Sequence, residues 1–215
     1  MKNENCWYKE VCTQKCSASC IRYNEMRYLL DSSGIPKNKQ LPISLSAGND
    51  YDAFCKLADI KNNISNFVEN GYNVYICGKD TGNGKTSWAI KLMLKYFDTI
   101  WAGNGFRVRG LFIHVPTFLS KLKDFENPLL KSDKDLLNTA DLVIWDDLAA
   151  GKISAYDETN LLVYIDNRLI SGKSNIFTTN IVTLNGLESC LGSRIASRIW
   201  HSSEIVEFCG KDRRG

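Results

Sequence analysis

Residues 74–86 read VYICGKDTGNGKT, and this stretch decides the fold of the chain. The apolar run at 74–77 predicts a buried strand, and apolar residues at helical spacing predict a helix over 85–97. Between them, Gly82 and Gly84 let the backbone curl so that its N–H groups face a phosphate, and the start of the helix adds favourable partial charge. A glycine-rich turn between a strand and a helix is the context that a Walker A phosphate-binding loop requires.

The loop predicts how a nucleoside triphosphate would be held. Lys85 is expected to reach the β- and γ-phosphates, and the Thr86 hydroxyl is expected to bind Mg²⁺. The nucleotide contacts are predicted to come from Gly78, Lys79, Asp80, Thr81, Gly82, Asn83, Gly84, Lys85, Thr86 and Ser87. The eight-residue motif ordinarily starts with glycine, but Lys79 occupies that position and Gly78 precedes it. Either the loop tolerates another residue there or its course is slightly altered; the alternative to a nucleotide site is a turn that merely needs glycine.

A second acidic motif follows further along the chain. A strand over 111–115 and a helix beginning near Pro116 precede a strand over 142–145, which ends at Asp146 and Asp147. We assign Asp146 to Mg²⁺ binding through water, and Asp147 to the catalytic carboxylate that polarises the attacking water. Glutamate is usual at the second position, so the shorter aspartate predicts slow hydrolysis. The alternative is an Asp pair that caps a helix. A complete strand before the acidic motif favours an additional-strand ATPase, the group of RecA-like and AAA+ proteins.

Two features near the end of the chain favour the AAA+ group. The strand over 175–179 is followed by Asn180, which we assign as a sensor of the γ-phosphate, although Thr-Asn after a strand is also an ordinary turn. In the segment GSRIASRI at 192–199, Arg194 and Arg198 are four residues apart and share one helical face if the segment is helical. A guanidinium there can reach the nucleotide of a neighbouring subunit; two solvated arginines are the alternative.

These motifs together resemble those of the DnaC/DnaI-type helicase loaders. The resemblance covers about residues 52–214 and rests on GNGKTSWAIKL, DLVIWDDLA, FTTN and LGSRIASRI. It implies an α/β fold: a P-loop AAA+ domain with a five-stranded parallel sheet flanked by helices and no C-terminal lid. It also implies ATP and Mg²⁺ as cofactors, a homo-oligomer formed through the AAA+ face, a DnaB-type replicative helicase as partner and single-stranded DNA bound along the inner surface. By motif position, Arg198 becomes the arginine finger and Arg194 its companion.

The N-terminal region is predicted to be a separate small module. Residues 32–50 have the composition of a loop-rich linker, so we divide the chain into an N-terminal Cys-rich module with its linker, 1–50, and an ATPase domain, 51–215. The resemblance implies that the N-terminal region grips the helicase. Its cysteines could ligate one zinc ion through four thiolates or hold an iron–sulfur cluster, and free cysteines are the third alternative. They are Cys6, Cys12, Cys16 and Cys20.

Composition limits the remaining possibilities. No apolar run is long enough to span a bilayer and the N-terminus has no signal-peptide pattern, so we expect a cytoplasmic protein without a membrane partner. A net charge of +3 is too small to indicate a nucleic-acid binder by itself, and local clusters would have to carry DNA contacts. The candidates are Arg107, Arg109, Phe118, Lys121 and Lys123, with a buried Phe118 and solvated lysines as the alternative.

Three functions remain open from the sequence. The first is an ATPase that loads a replicative helicase onto single-stranded DNA, which a partner-gripping N-terminal module favours. The second is a transposition helper ATPase of the IstB type, which shares these motifs and binds duplex DNA and a transposase. The third is a nucleotide-gated interaction protein with little hydrolysis, which aspartate at position 147 favours.

Overall fold

A computed structural model describes residues 10, 12–17, 19–36, 50–100, 105–123 and 128–210, without the side chains of 128–133. The strands are β1 (Asn73–Cys77), β2 (Gly110–His114), β3 (Leu142–Asp146), β4 (Ser174–Thr179) and β5 (Ser203–Glu207). The helices are α1 (Ile21–Ser32), α2 (Tyr51–Asn62), α3 (Ile64–Glu69), α4 (Lys85–Ile100), α5 (Val115–Leu122), α6 (Pro128–Thr139), α7 (Ala155–Ile170), α8 (Leu184–Leu191) and α9 (Ser193–Ser202).

The strands form one parallel sheet in the order β2-β3-β4-β1-β5. Successive residues of a strand face opposite sides, and both sides are apolar. In β1, Val74 and Ile76 pack with α1, α2, α3 and α4 on one side, whereas Tyr75 and Cys77 pack with α5 to α9 on the other. The sheet is therefore buried between two helical layers, as the sequence predicts for an α/β P-loop fold.

The additional strand of the sheet is β4, which lies between β1 and β3. The strand before the acidic motif, from which the class was predicted, is β2, and it lies at the edge of the sheet. The predicted class is confirmed, but the reason given for it was wrong. Since a strand separates the phosphate loop from Asp146, side chains of β4 take part in the site.

Helix α1 packs against the core of the sheet, although it lies within the predicted N-terminal module, 1–50. Met26 and Leu29 are buried in the apolar layer between the sheet and α1 to α4. The Phe112 N–H of the edge strand donates to the Ser33 carbonyl at 2.7 Å. The division of the chain at residue 50 stays a prediction. In the part of the chain that the structure describes, no helix has the length and apolar character needed to cross a membrane.

Candidate nucleotide site

The predicted phosphate loop closes around its lysine. The Lys85 Nζ donates to the Gly78 carbonyl at 3.0 Å, the Asp80 carbonyl at 2.8 Å and the Asn83 Oδ1 at 3.0 Å. Gly82 and Gly84 adopt φ of +70° and +104°, the left-handed region that glycine enters at little cost. Burial lowers the pKa of Lys85, and the nearby Asp147 carboxylate opposes that effect. The ammonium is thus held inside the loop, where the motif predicts a phosphate contact.

The loop tolerates lysine at the position where the motif ordinarily has glycine. Lys79 is absent from the described non-glycine residues with positive φ, which are Phe106, Asp147 and Ala149, so its backbone suits any residue. Gly78 is glycine for a different reason. A Cβ there would lie 2.6 Å from the Phe208 carbonyl oxygen and 2.7 Å from the Asn83 Nδ2. Gly78 therefore permits close packing of the loop against the segment that follows β5.

A buried amide in the loop fits a phosphate ligand. Asn83 is 1% exposed and its Oδ1 accepts from Lys85. Its Nδ2 finds no hydrogen-bond partner within the described residues, and an unpartnered buried donor is costly. A phosphate oxygen is a chemically suitable acceptor for this N–H group. The donors of the loop therefore fit a nucleoside triphosphate.

The proposed Mg²⁺ residues meet at the ends of their elements. Asp146 is fully buried at the end of β3, and its Oδ1 accepts from the Thr86 Oγ1 at 2.6 Å. It also accepts from the Thr178 Oγ1 of β4 at 2.8 Å. A hydroxyl beside a carboxylate, next to a phosphate loop, supplies the oxygen ligands that Mg²⁺ prefers. Thr86 and Asp146 thus fit the predicted ion.

Asp147 has two contacts that sequence reasoning missed. Its φ is +54°, a region that aspartate tolerates better than most residues, and its N–H donates to the Thr178 Oγ1 at 3.1 Å. Its Oδ2 lies 3.3 Å from the Nε2 of His114, whose Nδ1 lies 2.7 Å from the Thr117 Oγ1. The sequence offers one signal for Thr178 and His114: each is polar and lies near the carboxyl end of a strand, where α/β proteins bind their ligands.

The proposed sensor and arginines lie apart from these contacts. Asn180 is exposed beyond β4, and Thr178 makes the β4 contacts to the acidic pair. On α9, Arg198 forms an ion pair with Asp166 of α7, with 3.2 Å between its Nη1 and the Asp166 Oδ1. Arg194 is exposed, and within the described residues no hydrogen bond or ion pair is found for it. The roles of all three stay predictions.

The candidate zinc ligands are described in part. Cys6 lies outside the described residues. Cys12 and Cys16 precede α1 in irregular backbone, Cys20 is the residue before α1, and none of the three forms a disulfide. They do not form a cluster of three metal-ligating atoms, whereas His114, Asp146 and Asp147 do. A metal at the cysteines stays a prediction.

The candidate DNA-contact residues differ in their exposure and in their contacts. Phe118 is 4% exposed and packs on Trp145 and Tyr164, so the prediction that it stacks on a base is wrong. Lys123 pairs with Asp157 at 3.1 Å. Arg109 pairs with Asp141 at the amino ends of β2 and β3, opposite the phosphate loop. Arg107, Lys121 and Lys123 are the exposed candidates, and Lys123 is the one of them that pairs with Asp157.

A parallel sheet with β4 between the phosphate-loop strand and the Asp146 strand defines the additional-strand P-loop fold, here in its AAA+ form. Solved structures with similar folds include replication proteins. The DnaC helicase loader superposes with a TM-score of 0.64 at 19% identity, over 77% of this chain and 93% of its own. DnaI superposes with a TM-score of 0.63 at 20% identity, over 81% of this chain and 95% of its own.

Two other solved structures extend the comparison. A putative primosome component from Streptococcus pyogenes serotype M3 superposes with a TM-score of 0.61 at 20% identity, over 80% of this chain and 86% of its own. The replication initiator DnaA, bound to AMPPCP and single-stranded DNA, superposes with a TM-score of 0.62 at 13% identity, over 77% of this chain and 48% of its own. No protein-family profile and no curated protein sequence matches. The chain therefore shares its fold with the DnaC and DnaI loaders, as the motifs predict, and with the AAA+ part of an initiator.

Proposed function

We propose that this chain is a cytoplasmic ATPase that loads a DnaB-type replicative helicase onto single-stranded DNA. The observation that carries the proposal is the meeting of Lys85, Thr86 and Asp146 on an AAA+ sheet. The fold of that sheet matches the DnaC and DnaI loaders over more than three-quarters of this chain. The motifs of the sequence support the same function independently of the fold.

The residues of the loop divide the work of holding ATP. Lys85 neutralises charge on the β- and γ-phosphates, and the Asn83 amide and the loop N–H groups donate to phosphate oxygens. Thr86 and Asp146 hold Mg²⁺, which draws charge from the transferred phosphoryl group when it is bound. Thr178 fixes the Asp146 carboxylate by donating to its Oδ1.

Asp147 is the proposed catalytic carboxylate. It polarises water for attack, and two contacts hold it: its N–H donates to Thr178 and its Oδ2 faces His114. The aspartate side chain is one methylene shorter than glutamate, which limits its reach. Its Oδ2 is also paired with His114 and is therefore less available to a water molecule. Slow hydrolysis by the isolated chain follows from this arrangement.

Asp147→Asn tests this role without changing the backbone, because asparagine tolerates the same positive φ. We expect ATP binding to be retained and steady-state hydrolysis to fall by about 10²-fold or more. Asp59→Asn, an exposed change on α2, is the matched control and is expected to leave both quantities unchanged. Hydrolysis by Asp147→Asn at the wild-type rate would exclude Asp147 as the catalytic carboxylate.

Assembly and the N-terminal cysteines complete the proposal. We propose a homo-oligomer in which Arg198, with Arg194 beside it, stabilises charge on the nucleotide of the next subunit, and in which Asn180 senses the γ-phosphate.

We also propose zinc at the N-terminal cysteines, with an iron–sulfur cluster as the alternative; they are Cys6, Cys12, Cys16 and Cys20. The native mass of the reduced chain would show the added metal, and a mass equal to the bare polypeptide would contradict it.

A nucleotide-gated interaction protein with little hydrolysis is the second candidate. The contact of His114 with Asp147 favours it, because a carboxylate oxygen that is paired with an imidazole is less available to polarise the attacking water. In that case ATP would change partner binding in wild-type and Asp147→Asn proteins equally. A loader that depends on hydrolysis would release its helicase more slowly after that substitution.

A further inference from the structure

Three metal-ligating side chains converge beside the phosphate loop. The nearest ligand atoms of His114, Asp146 and Asp147 all lie within 4.8 Å of one another. The parallel register places His114 directly across from Asp146, so the cluster is built by the pairing of β2 with β3. It is the one such group among the described residues. The Mg²⁺ site predicted above uses Thr86 and Asp146 and leaves His114 without a role.

The separation of the two exposed ligands suits a shared metal ion. The His114 Nε2 and Asp147 Oδ2 are 3.3 Å apart. Two donors bound to one tetrahedral Zn²⁺, each at the usual bond length, stand about 3.4 Å apart. A charge-assisted hydrogen bond between a nitrogen and a carboxylate is ordinarily shorter, about 2.7–2.9 Å. The observed separation is therefore compatible with coordination of one ion, and it also meets the geometry of a long hydrogen bond.

The surroundings of the cluster also resemble those of a metal site. The second ring nitrogen of His114 is anchored by Thr117 at 2.7 Å, as the remote nitrogen of a metal-binding histidine ordinarily is. The Asp146 carboxylate is oriented by Thr86 and Thr178. The side chains of His114 and Asp147 are 36% and 47% exposed, so an ion can reach them from solvent.

We propose that His114, Asp147 and Asp146 form a site for a borderline divalent ion such as Zn²⁺ or Co²⁺ in the absence of nucleotide. An imidazole ligand favours these ions over Mg²⁺, which prefers oxygen. Three protein ligands leave one coordination position for water. The ion shares Asp146 with the predicted Mg²⁺ site, so it competes with Mg²⁺-nucleotide and thereby inhibits hydrolysis; that consequence rests on the proposed ATPase function, whereas metal binding does not.

A Co²⁺ titration of the full-length chain tests the site. The chain has only two histidines, and His201 is exposed on α9, so His201→Gln is a matched control for His114→Gln. Chelator-treated, reduced protein without nucleotide is titrated while the visible d–d absorption is recorded. A near-ultraviolet thiolate-to-cobalt band reports binding at cysteines separately. We expect wild-type and His201→Gln proteins to bind alike and His114→Gln to bind about tenfold more weakly or worse.

The result that overturns the proposal is equal Co²⁺ affinity in wild-type and His114→Gln proteins, or absorption with the thiolate band alone. The wild-type chain gives a test that needs no substitution. Zn²⁺ is expected to shift the imidazole NMR signals of His114 and leave those of His201 in place, and unchanged signals for both would also overturn the site. If Zn²⁺-free protein hydrolyses no ATP, the proposed ATPase function fails, while the Co²⁺ and NMR results still decide the metal site.

Discussion

Gly78 and Lys79 show how a motif position and a packing position can be confused. The motif would place its first glycine at 79, yet the backbone there accepts lysine without positive φ. The glycine that the fold requires is its neighbour, because the Phe208 carbonyl lies where a Cβ at 78 would stand. The Phe208 N–H also donates to the Cys77 carbonyl at 2.7 Å, which fixes this approach. The first residue after β1 therefore serves packing, and the later glycines form the phosphate loop.

Gly78→Ala should reduce stability and weaken nucleotide binding. The new Cβ would displace Phe208 or the Asn83 amide, and overpacking of this kind costs about 1–3 kcal/mol. Urea unfolding and nucleotide titration measure the two effects. Gly151→Ala is the matched control, since a Cβ there meets nothing within 4 Å and its φ is not positive. Wild-type stability and affinity in Gly78→Ala would contradict the packing argument.

At the scale of the elements, Arg168 of α7 joins three parts of the fold. It is 1% exposed, and its Nη1 donates to the Leu137 and Ala140 carbonyls at the end of α6, at 2.6 and 2.8 Å. Its Nη2 donates to the Ser174 carbonyl and its Nε to the Asn175 Oδ1, both at 2.7 Å. Burial lowers the pKa of Arg168 to about 9, so the guanidinium remains charged at pH 7.

Arg168→Met should lower the free energy of unfolding by about 3 kcal/mol or more, because the buried acceptors of α6 and β4 lose their donors. Chemical denaturation measures the change. Arg27→Met is the control, since Arg27 forms an exposed pair with Asp31 on α1 and such pairs contribute at most about 1 kcal/mol. A loss below about 1 kcal/mol in Arg168→Met would show that the network is dispensable.

The elements could be predicted where the signal is local. The sequence predicts strands over 74–77, 111–115, 142–145, 175–179 and 204–208, and the structure places each within one residue of those bounds. Apolar residues at helical spacing predict one helix over 54–69, but the structure has two helices there, because the backbone leaves the helical region at Asn63. Helices α1, α6 and α8 are not predicted from the sequence. The sequence of α6, PLLKSDKDLLNT, is too polar to stand out, and α8 has only eight residues.

The site was predictable only in part, for a related reason. Four site residues could be predicted because each lies in a short contiguous motif beside a predicted strand; they are Lys85, Thr86, Asp146 and Asp147. His114 and Thr178 join Asp146 and Asp147 only through the pairing of β2 with β3 and the insertion of β4. Strand order depends on contacts between distant segments, and periodicity within one segment does not encode it.

At the scale of the whole molecule, α9 is the proposed link between subunits. Within one chain, Arg198 pairs with Asp166, and the Arg198 side chain is 55% exposed, which leaves its guanidinium reachable by another partner. A nucleotide of a neighbouring subunit can therefore compete with Asp166 for the guanidinium. The homo-oligomer proposed above therefore predicts that Arg198 acts in trans.

Mixing two inactive variants tests that prediction. Arg198→Ala retains Asp147 but lacks the finger, and Asp147→Asn retains the finger but lacks the catalytic carboxylate. In a mixed oligomer, some sites receive both groups, so we expect the mixture to hydrolyse ATP faster than either variant alone. Arg194→Ala, which removes the companion, should cost less activity than Arg198→Ala. A mixture no more active than its parts, or a fully active Arg198→Ala, would contradict action in trans.

Helicase loading requires a complex between this chain and a helicase, and native mass spectrometry would detect that complex. The chain is mixed with the replicative helicase of its own source organism in the presence of ATP and Mg²⁺. We expect one defined complex, a helicase hexamer carrying several copies of this chain, whose mass gives the stoichiometry. An intact helicase and a folded chain that form no complex under these conditions would contradict the loader function and favour the duplex-binding transposition ATPase as the next function to test.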